Sequence, residues 1–568
     1  MRNTDKIISA ILYLSYVVVF LLSLLVFGVS LFTTVVFRQY EENDLFDFTA
    51  ENVPLLILSL LLVFALMLAA EAFAQRRAKG ALAEGSEGKG VLRAPFPVAM
   101  LLVAGGISLF LVLTIRGLPT SDAAQLDEIV GQFMEGNYSA LESGAYLDVY
   151  PFQITYVYIG EILAHVFGRS NYLVYQILNV IAIEIFLYCL YRIVWELFES
   201  RRICLVMQIL ACGAFCLFVF ATFIYQDLWS FAFQTAALYL QILYMKRDRI
   251  RYEIGAGILA AVSYLLKSNT LIALIAMVLL LLARAIRKRS GRQILTAIGF
   301  SILLAAMTFG ASAAVNAYTV ARTGIDEMPQ GMPAIAYIAM GMQTAEGKCG
   351  WYNGFTTSAY RESDSNVEAT KELAWQAIEE SIGEFSNSGR YCLNFYYQKF
   401  ISQWGDSTCV SMREMENTSR HTGELSGLQT SLIFGTGSRI LQWVMNVCHS
   451  MIYLGMVIYT GCVVLGRRKR NPVPKGAEEA SSGDAAGGGP VSFAAKENPR
   501  LLSLEEALIL IFIFGGMLFH ELWEASGRYT MRYYLTMLPL AACGISQCMT
   551  WIDARVKGIC NRVRSGGT

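Results

Sequence analysis

Long apolar runs, each closed by a short polar or charged stretch, dominate the chain. They cover 10–37, 54–74, 96–116, 172–195, 203–225, 228–246, 254–267, 270–287, 294–320, 438–465, 502–523 and 529–551. A helix that crosses a bilayer needs about 20 apolar residues. The twelve runs therefore predict an all-α polytopic membrane protein with about 12 transmembrane helices, 254–267 being the short one. The first run, apolar from Ile7 to Phe37, is too long for a cleaved signal peptide and reads as a retained span.

Basic clusters fall at 75–80, 199–202, 246–251, 284–292 and 466–470, and the tail "ARVKGICNRVR" is basic too. The loop 41–52, "EENDLFDFTAEN", is acidic. Lys and Arg mark cytoplasmic loops. With every basic cluster inside, the twelve runs alternate without contradiction, and both termini are cytoplasmic.

One apolar stretch breaks this count. "PFQITYVYIGEILAHVFG" (151–168) holds Gln153, Glu161 and His165, and as a span it would put two basic clusters outside. It is read instead as an amphipathic helix along the outer interface, inside a first outer loop of 117–171. A second outer region, 321–437, is too long for a simple connection. It contains "KELAWQAIEESIGEF" (371–385), with helical apolar spacing, and predicts a small extracytoplasmic domain.

The expected organisation follows. Residues 1–95 hold two N-terminal helices and an inner loop. Residues 96–320 form the membrane core and 321–437 the outer domain. Residues 438–551 return to the membrane around a Gly-, Ala- and Ser-rich linker at 466–500, and 552–568 are a basic tail.

Composition agrees with the pattern. Of 568 residues, 55% are hydrophobic and 16% charged, against about 25% charged in soluble domains; mean hydropathy is +0.46. A formal net charge of +0 offers no nucleic-acid partner. Of 12 cysteines, Cys189, Cys204, Cys212 and Cys216 sit in apolar runs, while Cys349, Cys392 and Cys409 fall in the long polar region. His165, His421, His449 and His520 are scattered. No spacing suits a zinc site or a disulfide framework, so no metal and no cofactor is expected.

Charge at the outer ends of spans changes the picture most, because ionisable groups at membrane depth are costly to keep. Asp122 follows the third run, in "LTIRGLPTSDAAQLDEIVGQF". Asp227 lies at the next outer turn, Lys267 between two apolar runs, and Glu521, Glu524 and Arg528 at the last outer turn. Each has a plain alternative. On position alone Asp122 reads first as a helix N-cap, and Asp127 and Glu128 as the solvated face of that helix. Asp227 reads equally as a cap, Lys267 as a snorkelling residue, and Arg528 as the i, i+4 partner of Glu524. Glu184, deeper, reads as a contact between helices.

As a set, these residues suit sugar transfer from a lipid phosphate. An outer carboxylate can take the proton of an acceptor hydroxyl. A cation at headgroup depth, Lys267 or Arg528, can stabilise the departing phosphate.

Seven stretches then carry a family resemblance. They are "PTSDAAQLDEIVGQFMEGNYSAL" (119–141), "GAYLDVYPFQ" (144–153), "YQDLWSF" (225–231), "YLLKSN" (264–269), "MPAIAYIAMGMQTAEGKCGWYN" (332–353), "QKFISQWGDST" (398–408) and "LWEASGRYTMRYYLTMLP" (522–539). In this order they resemble the GT-C superfamily of integral-membrane glycosyltransferases, in the branch of protein mannosyltransferases and aminoarabinose transferases. Bacterial family-39-like members are the nearest in kind.

The resemblance implies an inverting transferase that moves a sugar from a polyprenyl-phosphate donor to an extracytoplasmic glycan, lipid or protein, in a bacterial plasma membrane. It assigns Asp122 as the catalytic base and matches Asp227 to the acidic position of the second outer loop, an acceptor-orienting or accessory catalytic carboxylate. Lys267 and Arg528 become donor-phosphate contacts. Asp127, Glu128, Glu524, Tyr150 and Gln153 are accessory positions. Membrane lipids are the remaining partners.

Two spans precede the family's usual first one, "YPFQ" (150–153) replaces a "KPP"-like signature, and no DxD accompanies Asp227. Two other classes stay open: a transporter of lipid-linked sugars, and a non-catalytic scaffold. Transporters place charge near the midplane and show inverted repeats, and neither pattern is visible here.

Overall fold

The computed structural model describes residues 3–41, 44–83, 97–420, 422–466 and 502–565. The linker expected at 466–500 lies outside them except for Gly466. α1 (Asn3–Ser30) and α2 (Val53–Ala83) flank a hairpin of β1 (Thr33–Phe37) and β2 (Phe46–Ala50), with Thr33 opposite Ala50 and Phe37 opposite Phe46. α3 (Val98–Ile115) leads to three short helices, α4 (Asp122–Met134), α5 (Tyr146–Val149) and α6 (Ile154–Phe167). The core follows as α7 (Tyr172–Phe198), α8 (Arg201–Cys212), α9 (Phe215–Phe220), α10 (Asp227–Arg247), α11 (Ile250–Leu266), α12 (Thr270–Lys288) and α13 (Gly291–Thr323).

A looped region then carries α14 (Ala334–Gly341), the ladder β3 (Thr344–Ala345) with β4 (Lys348–Cys349), α15 (Phe355–Glu362), α16 (Val367–Asn387), α17 (Gly389–Trp404), α18 (Ser411–Ser419) and α19 (Gly427–Ile433). α20 (Thr436–Val464), α21 (Leu504–Leu522), α22 (Gly527–Thr536) and α23 (Leu538–Ser565) close the fold. The chain is nearly all helical.

Among the described residues, seven helical segments are long and apolar enough to cross a membrane, and the bent pair α22–α23 makes eight. The other expected spans are helical as well. α11 is short, α21 carries Glu505, Glu506 and Glu521, α10 carries a polar face, and 203–225 is broken into α8 and α9.

Three expected spans differ in detail. The run 10–37 leaves its helix at Ser30, because Thr33–Phe37 ("TTVVF") is rich in β-branched residues that favour a strand. The run 203–225 breaks at Gly213, which lies so close to α20 that a Cβ there would come within 3.2 Å of the Cys448 sulfur. The run 529–551 bends by 52° between α22 and α23, where Pro539 lacks the amide a continuous helix needs.

The segment expected as a separate outer domain divides in two. Ala336, Ala339, Ala374, Ala377 and Ile378 share a small core of their own. Phe400, Ile401 and Trp404 of α17, with Met415 of α18, instead join the main core. The stretch 151–168 forms α6, which is too short to cross and exposes Ile162, Val166 and Phe167. Its buried Glu161 holds Arg322 at the end of α13 through two 2.6 Å contacts. The Arg322 guanidinium also lies over the rings of Phe133, Tyr138 and Tyr158, so α4, α6 and α13 are tied at one end of the bundle.

Between α9 and α10 the backbone is irregular and fully buried over 221–226. In an apolar bundle every such carbonyl needs a partner. α7 supplies two amides three positions apart: Asn179 Nδ2 donates to the carbonyls of Ala221 (3.2 Å) and Phe223 (2.7 Å), and Gln176 Nε2 to those of Thr222 (2.9 Å) and Gly117 (3.3 Å). This bracket fixes the start of α10. Asn179→Leu is expected to cost about 1–3 kcal/mol of stability, the penalty for stranding buried acceptors, read as thermal unfolding in detergent. An unchanged melting temperature would mean that the carbonyls find other donors.

Candidate active site

Asp122, Asp227, Lys267 and Arg528 lie at helix ends. Asp227 opens α10 and is 2% exposed. Lys267 ends α11, where the backbone turns extended before Asn269 and α12. The break is pinned by Ser263, whose hydroxyl meets Thr270 Oγ1 at 2.7 Å and donates to the Ser230 carbonyl at 2.9 Å. Lys267 Nζ then reaches Asp227 Oδ1 at 3.2 Å and stands 4.7 Å from the centre of the Tyr225 ring. Lys267 thus meets a carboxylate inside the protein rather than snorkelling, and the Asp227 carboxylate is turned to Lys267 rather than to a capping bond. The second Asp227 oxygen, Oδ2, is buried without a hydrogen-bond partner among the described residues.

Arg528 sits in the first turn of α22. Its partner is Glu414 of α18 (Nη1–Oε1 3.1 Å) and not Glu524, which the i, i+4 spacing had offered. The Arg528 guanidinium also lies 5.6 Å from the Phe223 ring and 5.8 Å from the Tyr225 ring. Glu524 instead accepts a long 3.5 Å bond from the Tyr529 hydroxyl. Burial pushes the Glu414 carboxyl up to about 7 against the opposing pull of Arg528. Burial likewise raises Glu524 to about 7, and the charge of Asp122 adds to that rise.

Asp122 is the first residue of α4 and exposed; Ser121 precedes it with φ +50° and makes no capping bond. No side-chain cap is present, so the cap reading loses its support. The turn before it is held from α18, where Leu118 N donates to the Thr418 carbonyl at 2.9 Å, and Gly117 lies so close that a Cβ would come within 2.7 Å of Thr418 Oγ1. The charge of Asp122 bears on the hydroxyls of Tyr146, Tyr150 and Tyr225 and on Glu524. Burial, with Asp122 and Tyr352 nearby, pushes the Tyr150 phenol above its ordinary value. Tyr225 is the shared neighbour: Gln153 Nε2 donates to its hydroxyl, and Gln153 Oε1 accepts from Gln226 at 2.7 Å.

Asp122, Asp227, Lys267, Arg528, Glu524, Tyr150 and Gln153 therefore gather at one end of the bundle. Asp127 and Glu128 do not join them. Asp127 accepts from the Tyr172 hydroxyl at 2.8 Å and ties α4 to α7, and Glu128 is exposed. Glu184 packs against Gly105 of α3, as a contact between helices.

Two charged members escaped sequence reasoning. Glu414 lies in the polar stretch "MREMENTS", which offers no motif. Arg532, 2% exposed, donates to Gln234 Oε1 and Ser230 Oγ at 2.9 Å each. Its signal was its place four residues after Arg528, on the same face of α22. Among the described residues no three His, Cys, Asp or Glu side chains gather as a metal site.

The neighbourhood is braced from the N-terminus. Arg413 and Arg420 both donate to the Glu41 carbonyl, and Tyr40 N donates to Glu416 Oε1 at 2.8 Å. The Tyr40 ring stacks on Phe434 at 4.6 Å. The loop of the first hairpin thus grips the helix that carries Glu414.

Residues 6–464 match the profile of a family described as "conserved hypothetical integral membrane protein". The chain belongs to that family. It is a multi-pass integral membrane protein. No curated protein matched it. Among solved structures it is similar to the oligosaccharyltransferase of Archaeoglobus fulgidus in its apo form, with a TM-score of 0.39 and 14% identity over 82% of this chain and 52% of that one. The same enzyme in complex with Zn and sulfate gives a TM-score of 0.38 and 15% identity over 80% and 50%. The chain thus spans about half the length of the structures it matches.

The Lys267–Asp227 pair is testable as a unit. Removing one partner of a buried ion pair leaves an uncompensated charge and costs roughly 3–5 kcal/mol. Lys267→Met is expected to fall in that range in detergent unfolding, and Lys267→Met with Asp227→Asn to recover most of it. A double variant as unstable as the sum of the two single variants would show that they are not coupled.

Proposed function

We propose that the protein is a GT-C-type inverting glycosyltransferase that moves a sugar from a polyprenyl-phosphate donor to an extracytoplasmic acceptor. The observation that carries this reading is the meeting of Lys267, Arg528 and Asp227 in a largely buried cluster beside an exposed carboxylate, Asp122. Buried cations favour an anion, and a phosphate at a membrane surface is the anion such a site suits. A carboxylate open to solvent beside it suits a proton acceptor.

In this reaction the Asp122 carboxylate takes the proton of an acceptor hydroxyl. The hydroxyl oxygen attacks the anomeric carbon from the face opposite the phosphate. The bond from that carbon to the phosphate oxygen breaks, and the electron pair leaves with polyprenyl phosphate. Lys267 and Arg528 stabilise the charge that develops there. Asp227 holds Lys267 through Oδ1 and offers Oδ2 to the acceptor. The acceptor classes are a glycan, a lipid or a protein of the cell envelope. The site end faces outward across a bacterial plasma membrane, with both termini inside.

Asp122→Asn, inserted and folded, is expected to release polyprenyl phosphate roughly 10²- to 10⁴-fold more slowly, the usual worth of a general base. Release at the parent rate would remove Asp122 from that role. A pH profile tests the phosphate contacts. Glu414 is protonated below about 7 and then leaves the Arg528 charge free for the donor; above about 7 it ionises and competes. Donor binding should therefore weaken as pH rises through about 7, and Glu414→Gln should flatten most of that change, with Glu524 supplying the rest. A profile unchanged by Glu414→Gln would separate Glu414 from donor binding.

A further inference from the structure

A cavity of about 210 Å³ opens beside the charged cluster, between the start of α6, the end of α11 and the end of α13. Thr155, Tyr264, Ser268, Ser312, Asn316 and Gln330 turn it polar, and the rest of its lining is apolar; no Asp, Glu, Lys, Arg or His contributes. Among the described residues none of these six side chains is engaged in a hydrogen bond, so their donors and acceptors are open to a ligand. The Tyr264 ring packs edge-on against Phe309 at 5.7 Å.

The cavity adjoins the cluster twice. Ser268 is the next residue after Lys267, one Cα step of about 3.8 Å away. Phe152, another lining residue, precedes Gln153, which meets Tyr225 and Gln226.

We infer that this cavity seats the transferred group of the donor, and that this group is a single uncharged sugar. The inference rests on the donor reading above. Its size lies below the roughly 300–1,000 Å³ of pockets for drug-sized ligands, so it suits one ring. Neutral amides and hydroxyls match sugar hydroxyls one for one. A sugar bearing a carboxylate or ammonium would meet no counterion among the lining residues and gain no charge-assisted contact that a neutral sugar lacks. From this seat the anomeric phosphate extends toward Lys267.

The test compares three probes bound to the protein in nanodiscs, read by native mass spectrometry: bare polyprenyl phosphate, polyprenyl phosphate bearing a neutral hexose, and polyprenyl phosphate bearing an amino sugar or a uronic acid. The neutral-sugar lipid is expected to bind about tenfold more tightly than the bare phosphate, the worth of one or two hydrogen bonds, and the charged-sugar lipids no more tightly. Asn316→Leu should abolish that gain and leave bare phosphate binding unchanged. Tyr264→Phe, which keeps the packing on Phe309, should reduce it. Charged sugars bound as tightly as neutral ones, or a gain that survives Asn316→Leu, would overturn the assignment while the donor reading stands. Bare phosphate binding that is indifferent to Arg528→Gln would overturn the donor reading, and this inference with it.

Discussion

Buried peptide groups must find partners, and nowhere does this weigh more than in the irregular stretch between α9 and α10. Water is scarce inside an apolar bundle, so a chain that leaves helical geometry there must be met by donors from elsewhere. Gln176 and Asn179 meet it with two amides on one face of α7. Because that bracket exists, α10 can begin at Asp227 in the interior rather than at the surface. Tyr225 and Asp227 are then presented side by side. Gln176 also reaches the Gly117 carbonyl, so the same bracket fastens the turn that leads to Asp122.

The charged groups follow from where helices stop. α11 stops at Lys267, α21 stops before Glu524, and α22 begins just before Arg528. Each break exposes polar backbone, and the three breaks lie at one end of the bundle, where a charge can be kept because others compensate it. Lys267 answers Asp227 and Arg528 answers Glu414, whereas Arg532 finds two neutral partners. Such an arrangement is poor as a source of stability, since desolvation consumes much of the attraction. It is well suited to receiving a further anion.

The sequence shows which segments are helical and which charged residues stand at helix ends, because both are local signals. The "KSN" interruption marks the end of α11, the Glu161- and His165-bearing run marks α6 as a helix that does not cross, and "SDAAQLDE" marks the start of α4. Partnership is another matter. Arg528 and Glu414 are separated by 114 residues, and the local spacing pointed to Glu524 instead. The strand at Thr33–Phe37 is as apolar as a span, and its β-branched side chains decide its shape. Gly213, where the run breaks, packs against Cys448 of α20, a contact that no local window contains.

The first two helices look detachable when the chain is drawn as a line. The hairpin between them is not an ornament, however. Through the Glu41 carbonyl it holds Arg413 and Arg420, one immediately before Glu414 and the other a turn and a half beyond it. The N-terminal pair therefore acts as a brace on the membrane core, and any strain that shifts it in the bilayer is carried by a single short helix to the residue that balances Arg528. A displacement of the hairpin would thus be felt as a change in charge balance at the end of the bundle where Arg528 meets Glu414.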